Sequence, residues 1–151
     1  MRREQGFSYP IAMFLVALVA IVTVRALENS MTAERREKER DLLAVGQAYR
    51  NAIRSYYDNS PGTSKSYPPD LEALLLDKRA TRMRRPLRKL YRDPMSGSAE
   101  WGIVRTAEGA VKGVYSLSVL KPFKTDGFPV ELKSFANASQ YKQWLFVYEP
   151  G

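Results

Sequence analysis

"RREQGFSYPIAMFLVALVAIVTVRALE", residues 2–28, decides the fold. A short basic start runs into Gly6-Phe7, and from Ile11 to Val24 every residue is apolar except Thr23. Counted from Phe7, the run reaches about the 17 to 20 residues that cross a bilayer's hydrocarbon core. Arg25 ends it, and Arg2 and Arg3 precede it, which places the N-terminus on the cytoplasmic side. The residues alone leave three readings open. The stretch is a cleavable signal peptide, with Val24-Arg25-Ala26 supplying small residues where a signal peptidase inspects them. It is an uncleaved anchor. Or it is kept in the product and packs against other subunits.

Outward from Arg25, no proline interrupts the chain until Pro61. Leu42, Val45, Tyr49, Ile53 and Tyr56 recur at helical spacing and form one apolar stripe. Asp58-Asn59-Ser60-Pro61-Gly62 is a strong stop. The pattern predicts one helix from near Tyr9 to Tyr57, on the order of 70 Å long. Its first half is apolar all round and its middle, residues 34–41, alternates charge signs. Its last third is amphipathic and expected to pack on the C-terminal domain. Pro10 suits a first helical turn, where no amide donor is needed. The charged middle reads as a solvated face or as ion pairing between adjacent subunits.

Beyond the stop, Tyr67-Pro68-Pro69 is extended, and Pro69 or Asp70 opens a short helix carrying Leu71, Leu74 and Leu75. Asp93-Pro94 and Ser96-Gly97 are turn pairs. Strands are expected from Trp101, across "GVYSLSVL" after a Glu108-Gly109 turn, and at "WLFVYEP", residues 144–150. The expected class is therefore α+β: a long N-terminal helix, transmembrane in its first half, packed by its C-terminal half on a small antiparallel sheet.

Among 151 residues there is no Cys and no His, which removes disulfides, thiolate nucleophiles and the usual zinc sites. No P-loop, nucleophile motif or supported pair of carboxylates is present, so an enzyme is not expected. The net charge is +8, and much of the excess falls between residues 78 and 92. Arg79, Arg82, Arg84, Arg85, Arg88, Lys89 and Arg92 lie there. They are a solvated face, a docking face for an acidic partner, or a nucleic-acid contact. Base stacking would need interleaved aromatics, and the cluster holds only Tyr91.

The Gly6-Phe7 junction followed by an apolar helix resembles the N-terminus of the type IV pilin and type II secretion pseudopilin superfamily. Tyr67-Pro68, Asp93-Pro94 with Trp101 downstream, and Tyr115-Ser116-Leu117 resemble motifs of the major pseudopilins. The resemblance implies cleavage between Gly6 and Phe7 by a prepilin peptidase and methylation of the Phe7 amine. It implies a leader over 1–6, a transmembrane and stalk helix over 7–60 and a head over 61–151. It further implies a single-pass protein of the bacterial inner membrane with a periplasmic head, docked to an assembly platform and built into a filament with other subunits.

Two departures from the pattern matter. Ile11 stands where the family carries Glu, so the charge pair which that Glu is thought to make with a neighbour's amine is missing. The outcome is a tip-like minor subunit, or one that enters the filament without that lock. The acidic loop that binds calcium in the major pseudopilins is here "SVLKPFKTDGFPVELK", whose carboxylates are Asp126 and Glu131 alone. Calcium wants six to eight oxygens, so no cofactor is expected, and Phe123, Phe128 and Phe135 are expected to hold the loop. The expected function is a structural filament subunit. The alternative is an anchored binding module whose basic face takes DNA or another anion.

Overall fold

The computed structural model describes residues 8–79 and 81–151. The chain is α+β: one helix, α1 (Ser8–Asp58), precedes a three-stranded antiparallel sheet of β1 (Gly102–Arg105), β2 (Val111–Tyr115) and β3 (Phe146–Val147), in the order β1-β2-β3. The described residues group into two compact units that divide between Glu37 and Lys38. Residues 38–58 of α1 therefore group with the head.

In the first unit, α1 is long and apolar enough to cross a membrane. Its side chains are exposed around the whole circumference, Tyr9 and Val16 at 72% and 70%. Thr23, the one hydroxyl in the apolar run, donates to the Val19 carbonyl at 2.8 Å. That back-bond removes the cost of carrying an unsatisfied hydroxyl in an apolar medium.

In the second unit, Leu42, Tyr49, Ile53 and Tyr56 are buried as the stripe requires, and Val45 packs partly buried against the same core. Gly46 lies on this face because Phe146 of β3 packs directly against the helix backbone there, and a Cβ at 46 would run into its ring. Phe146 in turn stands edge-on to Phe135 at 5.0 Å, and Phe135 stacks on Trp144 at 5.2 Å. The Tyr49 hydroxyl bonds both ways to the Tyr91 backbone, accepting from its N–H at 2.9 Å and donating to its carbonyl at 3.2 Å. Trp101 Nε1 donates to the same carbonyl at 2.8 Å. A single helical tyrosine thus fixes the loop that leads into β1.

The β1–β2 hairpin turns at Gly109, whose φ of 86° suits glycine. Three sequence expectations are shortened. The helix at Leu71 is a single 3-10 turn, Glu72–Leu74, fixed by the Asp70 carboxylate accepting the Ala73 N–H at 2.8 Å. β2 stops at Tyr115, because Ser116 turns inward and its hydroxyl donates to the buried Asp93 carboxylate at 2.7 Å. β3 holds two residues instead of seven, paired as Gly113↔Val147 and Val114↔Phe146. The loop-rich stretch before it contains a kinked 3-10 segment, Val130–Asn137, that buries Leu132 and Phe135.

Candidate functional site

Of the residues expected to matter, Gly6 and Phe7 lie outside the described residues. Ile11 is 54% exposed on the apolar helix.

The basic stretch is an irregular loop held at several points. Asp77 and Arg84 pair through their backbones, 2.8 Å and 3.3 Å. Leu87 is buried, and its N–H donates to the Leu74 carbonyl at 2.8 Å. Tyr91 is clasped by Tyr49 and Trp101 through its backbone. At and around these pins, the side chains of Arg82, Arg84, Arg85, Arg88, Lys89 and Arg92 are exposed.

Arg79 is the exception. It faces inward and stands apart from the exposed cations. Its guanidinium lies 3.4 Å above the Tyr56 ring and forks onto both oxygens of Asp77, at 2.9 and 2.8 Å. Its remaining N–H groups reach Ser60 Oγ, Ser66 Oγ and the Tyr56 carbonyl. Tyr56 belongs to the last turn of α1, which has no basic residue of its own. Arg79 therefore supplies, from a distant loop, the cation that a helix C-terminus favours. The pairing holds the Asp77 carboxyl below the usual carboxylate range and raises Arg79 above its ordinary value.

Charge is distributed in a way that sequence order makes plain. Residues 78–92 carry eight of the 24 basic residues and none of the 16 acidic ones. The rest of the chain balances sixteen against sixteen, so the whole net charge of +8 resides in this one loop. Arg84, Arg85 and Arg92 each donate to a neutral oxygen, of Asn59, Leu75 and Gly97 respectively. These bonds orient the guanidinium groups without neutralising them. Among the described residues, none of the exposed cations of the loop forms an ion pair.

Sequence reasoning missed Glu39. It sits in the alternating-charge stretch read as a solvated face, yet it is 5% exposed. Its carboxylate accepts the Phe123 N–H at 2.7 Å, the Lys124 N–H at 3.1 Å and the Tyr141 hydroxyl at 2.7 Å. The signal was available: stepping the stripe back by three residues from Leu42 lands on 39. The three aromatic residues expected to hold the following loop divide the task unevenly. Phe135 is buried and Phe128 packs on Phe135 and Trp144, whereas Phe123 is 39% exposed and is held through its backbone by Glu39. Asp126 and Glu131 are exposed. Among the described residues, no group of three or more carboxylate, His or Cys side chains is gathered as a metal would require.

A further buried carboxylate, Asp93, is also structural. It accepts the Met95 N–H at 2.9 Å and the hydroxyls of Ser96 and Ser116, each at 2.7 Å. It ties the 93–97 turn to the end of β2. Each of the buried carboxylates Glu39, Asp77 and Asp93 is thus committed to holding the fold. No family model matches the chain, and no significant match emerges among curated proteins or solved structures.

Proposed function

We propose that the protein is a structural filament subunit of the pilin or pseudopilin kind, serving a type II secretion pseudopilus or a type IV pilus-like fibre. It is cut between Gly6 and Phe7, methylated at Phe7, held in the inner membrane by residues 8–24 and assembled through that segment. Its partners are other such subunits, the prepilin peptidase and an inner-membrane assembly platform, with the head in the periplasm.

The observation that carries this reading is the helix itself. Ser8–Asp58 is unbroken, and its apolar portion offers exposed side chains on every side. A soluble protein does not leave such a surface to water. Lipid covers it in a single-pass protein, and neighbouring helices of the same kind cover it in a fibre. The motif at Gly6-Phe7 is what favours the fibre over a plain anchor. Ile11 removes a buried charge as a register lock, so registry rests on the packing of the apolar side chains.

The test is processing. Co-expressed with a prepilin peptidase, the wild-type chain is expected to lose its first six residues. A Gly6→Leu variant is expected to stay full length in the same membranes. Cleavage of the variant at the same bond, or failure to cut the wild type, would overturn the proposal.

A further inference from the structure

We infer that the exposed basic loop is a docking surface for a different protein, one that presents clustered carboxylates around apolar side chains. The inference concerns the second compact unit and stands whether or not residue 6 is cut.

Three observations carry it. The first is charge, since residues 78–92 hold eight basic residues and no acidic one, and of the eight only Arg79 is paired among the described residues, with Asp77. Like charges this close repel one another, and an anionic partner relieves that repulsion while steering its own approach. The second is order. Leu87 is buried and Tyr91 is bonded through both backbone groups, so the cations between and beside them are displayed on a fixed loop. Binding then loses less conformational entropy than it would on a mobile tail.

The third is the company the cations keep. Met83 and Leu90 stand among them at 71% and 40% exposure. Arg and Met are enriched at protein interfaces, where an apolar centre is ringed by charge. A phosphate backbone gives an exposed methionine or leucine nothing to bury against. A stacking nucleic acid would need open aromatic faces, and the loop's Tyr91 is half-buried, with the Lys89 ammonium 5.2 Å over its ring. An anionic bilayer surface takes a continuous amphipathic face, and this loop is irregular, with Leu87 turned inward.

A second copy of this chain does not fit. The carboxylates it gathers beside apolar side chains, Glu131 and Glu149 near Leu145 and Val147, share their patch with Arg50 and Lys112, and Lys112 pairs with Glu149 at 3.1 Å, so the patch carries no excess negative charge. Two copies meeting loop to loop would repel.

The experiment uses the full chain in nanodiscs of zwitterionic lipid. Three fluorescent probes are titrated: an acidic peptide of glutamates interspersed with leucines, a duplex DNA, and vesicles rich in phosphatidylglycerol. The peptide is expected to bind best. Charge reversal by R82E, R85E and R88E together is expected to weaken it on the order of a hundredfold. M83S with L90S is expected to weaken the peptide about tenfold while leaving DNA unchanged. All these positions are exposed, so unchanged thermal melting confirms that the variants fold. Tighter binding of DNA or of vesicles than of the peptide would overturn the inference. So would peptide binding that ignores either set of substitutions, or no binding by any probe.

Discussion

Gly46 shows how one residue weighs two opposing effects. In an exposed helix, Gly→Ala gains about 1 kcal/mol of helix propensity. Here the added methyl meets the Phe146 ring, which is fully buried and braced edge-on by Phe135. Overpacking of that kind costs about 1–3 kcal/mol, so the packing loss wins. Gly46→Ala is expected to lower the urea midpoint of the full chain in detergent, and Phe146→Leu added to it is expected to recover part of the loss. A stabilised Gly46→Ala variant would mean that Phe146 does not press on the helix.

Asp77 makes a pH-dependent contribution whose sign is fixed by its partner. Arg79 depresses its folded-state pKa, chiefly through the side-chain fork. The contribution is therefore fully present above the unfolded carboxyl value, about 4. It is lost as pH falls through the lower folded value. Urea midpoints measured from neutral pH downward are expected to fall in the acid limb for the wild-type chain. Asp77→Asn is expected to start lower at neutral pH and to fall less steeply. Parallel acid limbs would show that the pair adds nothing. Nothing in residue order signals that Arg79 differs from its basic neighbours. The distinction arises only where the loop returns past Tyr56, Ser60 and Ser66.

At the scale of elements, the helix is legible nearly to its ends because an apolar run, a charged middle and an apolar stripe at helical spacing follow one another without a proline until the stop at residues 58–62. The expected span, Tyr9 to Tyr57, differs from Ser8–Asp58 by one residue at each end, and the stop at Asp58 to Gly62 accords with its turn chemistry. The strands are located but overdrawn. "GVYSLSVL" has β-forming residues throughout, yet Ser116 bonds inward to Asp93 and the chain leaves the sheet. "WLFVYEP" pairs over only two residues, and it starts late because the Trp144 N–H donates to the Tyr141 carbonyl at 2.9 Å and closes the 3-10 turn Tyr141–Gln143. The Glu39 clasp is hidden for a different reason. A charged residue among alternating charges looks solvated until the donors of Phe123, Lys124 and Tyr141 arrive from more than eighty residues away.

That clasp links the helix to the 121–124 segment, and its removal is expected to act on both. Glu39→Ala removes an acceptor shared by two backbone N–H groups and a hydroxyl. A destabilisation on the order of 1–3 kcal/mol is expected from the loss of one buried and two part-buried hydrogen bonds. Hydrogen exchange at the Phe123 and Lys124 amides is expected to accelerate beyond what the global loss accounts for. Unchanged protection of those two amides would show that the carboxylate does not hold the loop.

For the whole molecule, the two surfaces differ in how far residue order reveals them. The apolar segment is visible in the sequence because it is contiguous. The basic loop is also contiguous, but its meaning depends on which cations the fold consumes. Arg79 is spent on the helix terminus and Asp77, and the others remain outward with Met83 and Leu90 among them. Under the proposed function the first surface anchors or assembles the molecule, and the inferred docking uses the second.

The central claim is that the apolar helix is retained in the mature chain after loss of a six-residue leader. Its most direct test is the intact mass of the protein isolated from membranes of a cell that makes a prepilin peptidase. The account predicts a chain beginning at Phe7 and carrying one added methyl group. A chain beginning at Leu27, recovered from the soluble periplasmic fraction, would contradict it.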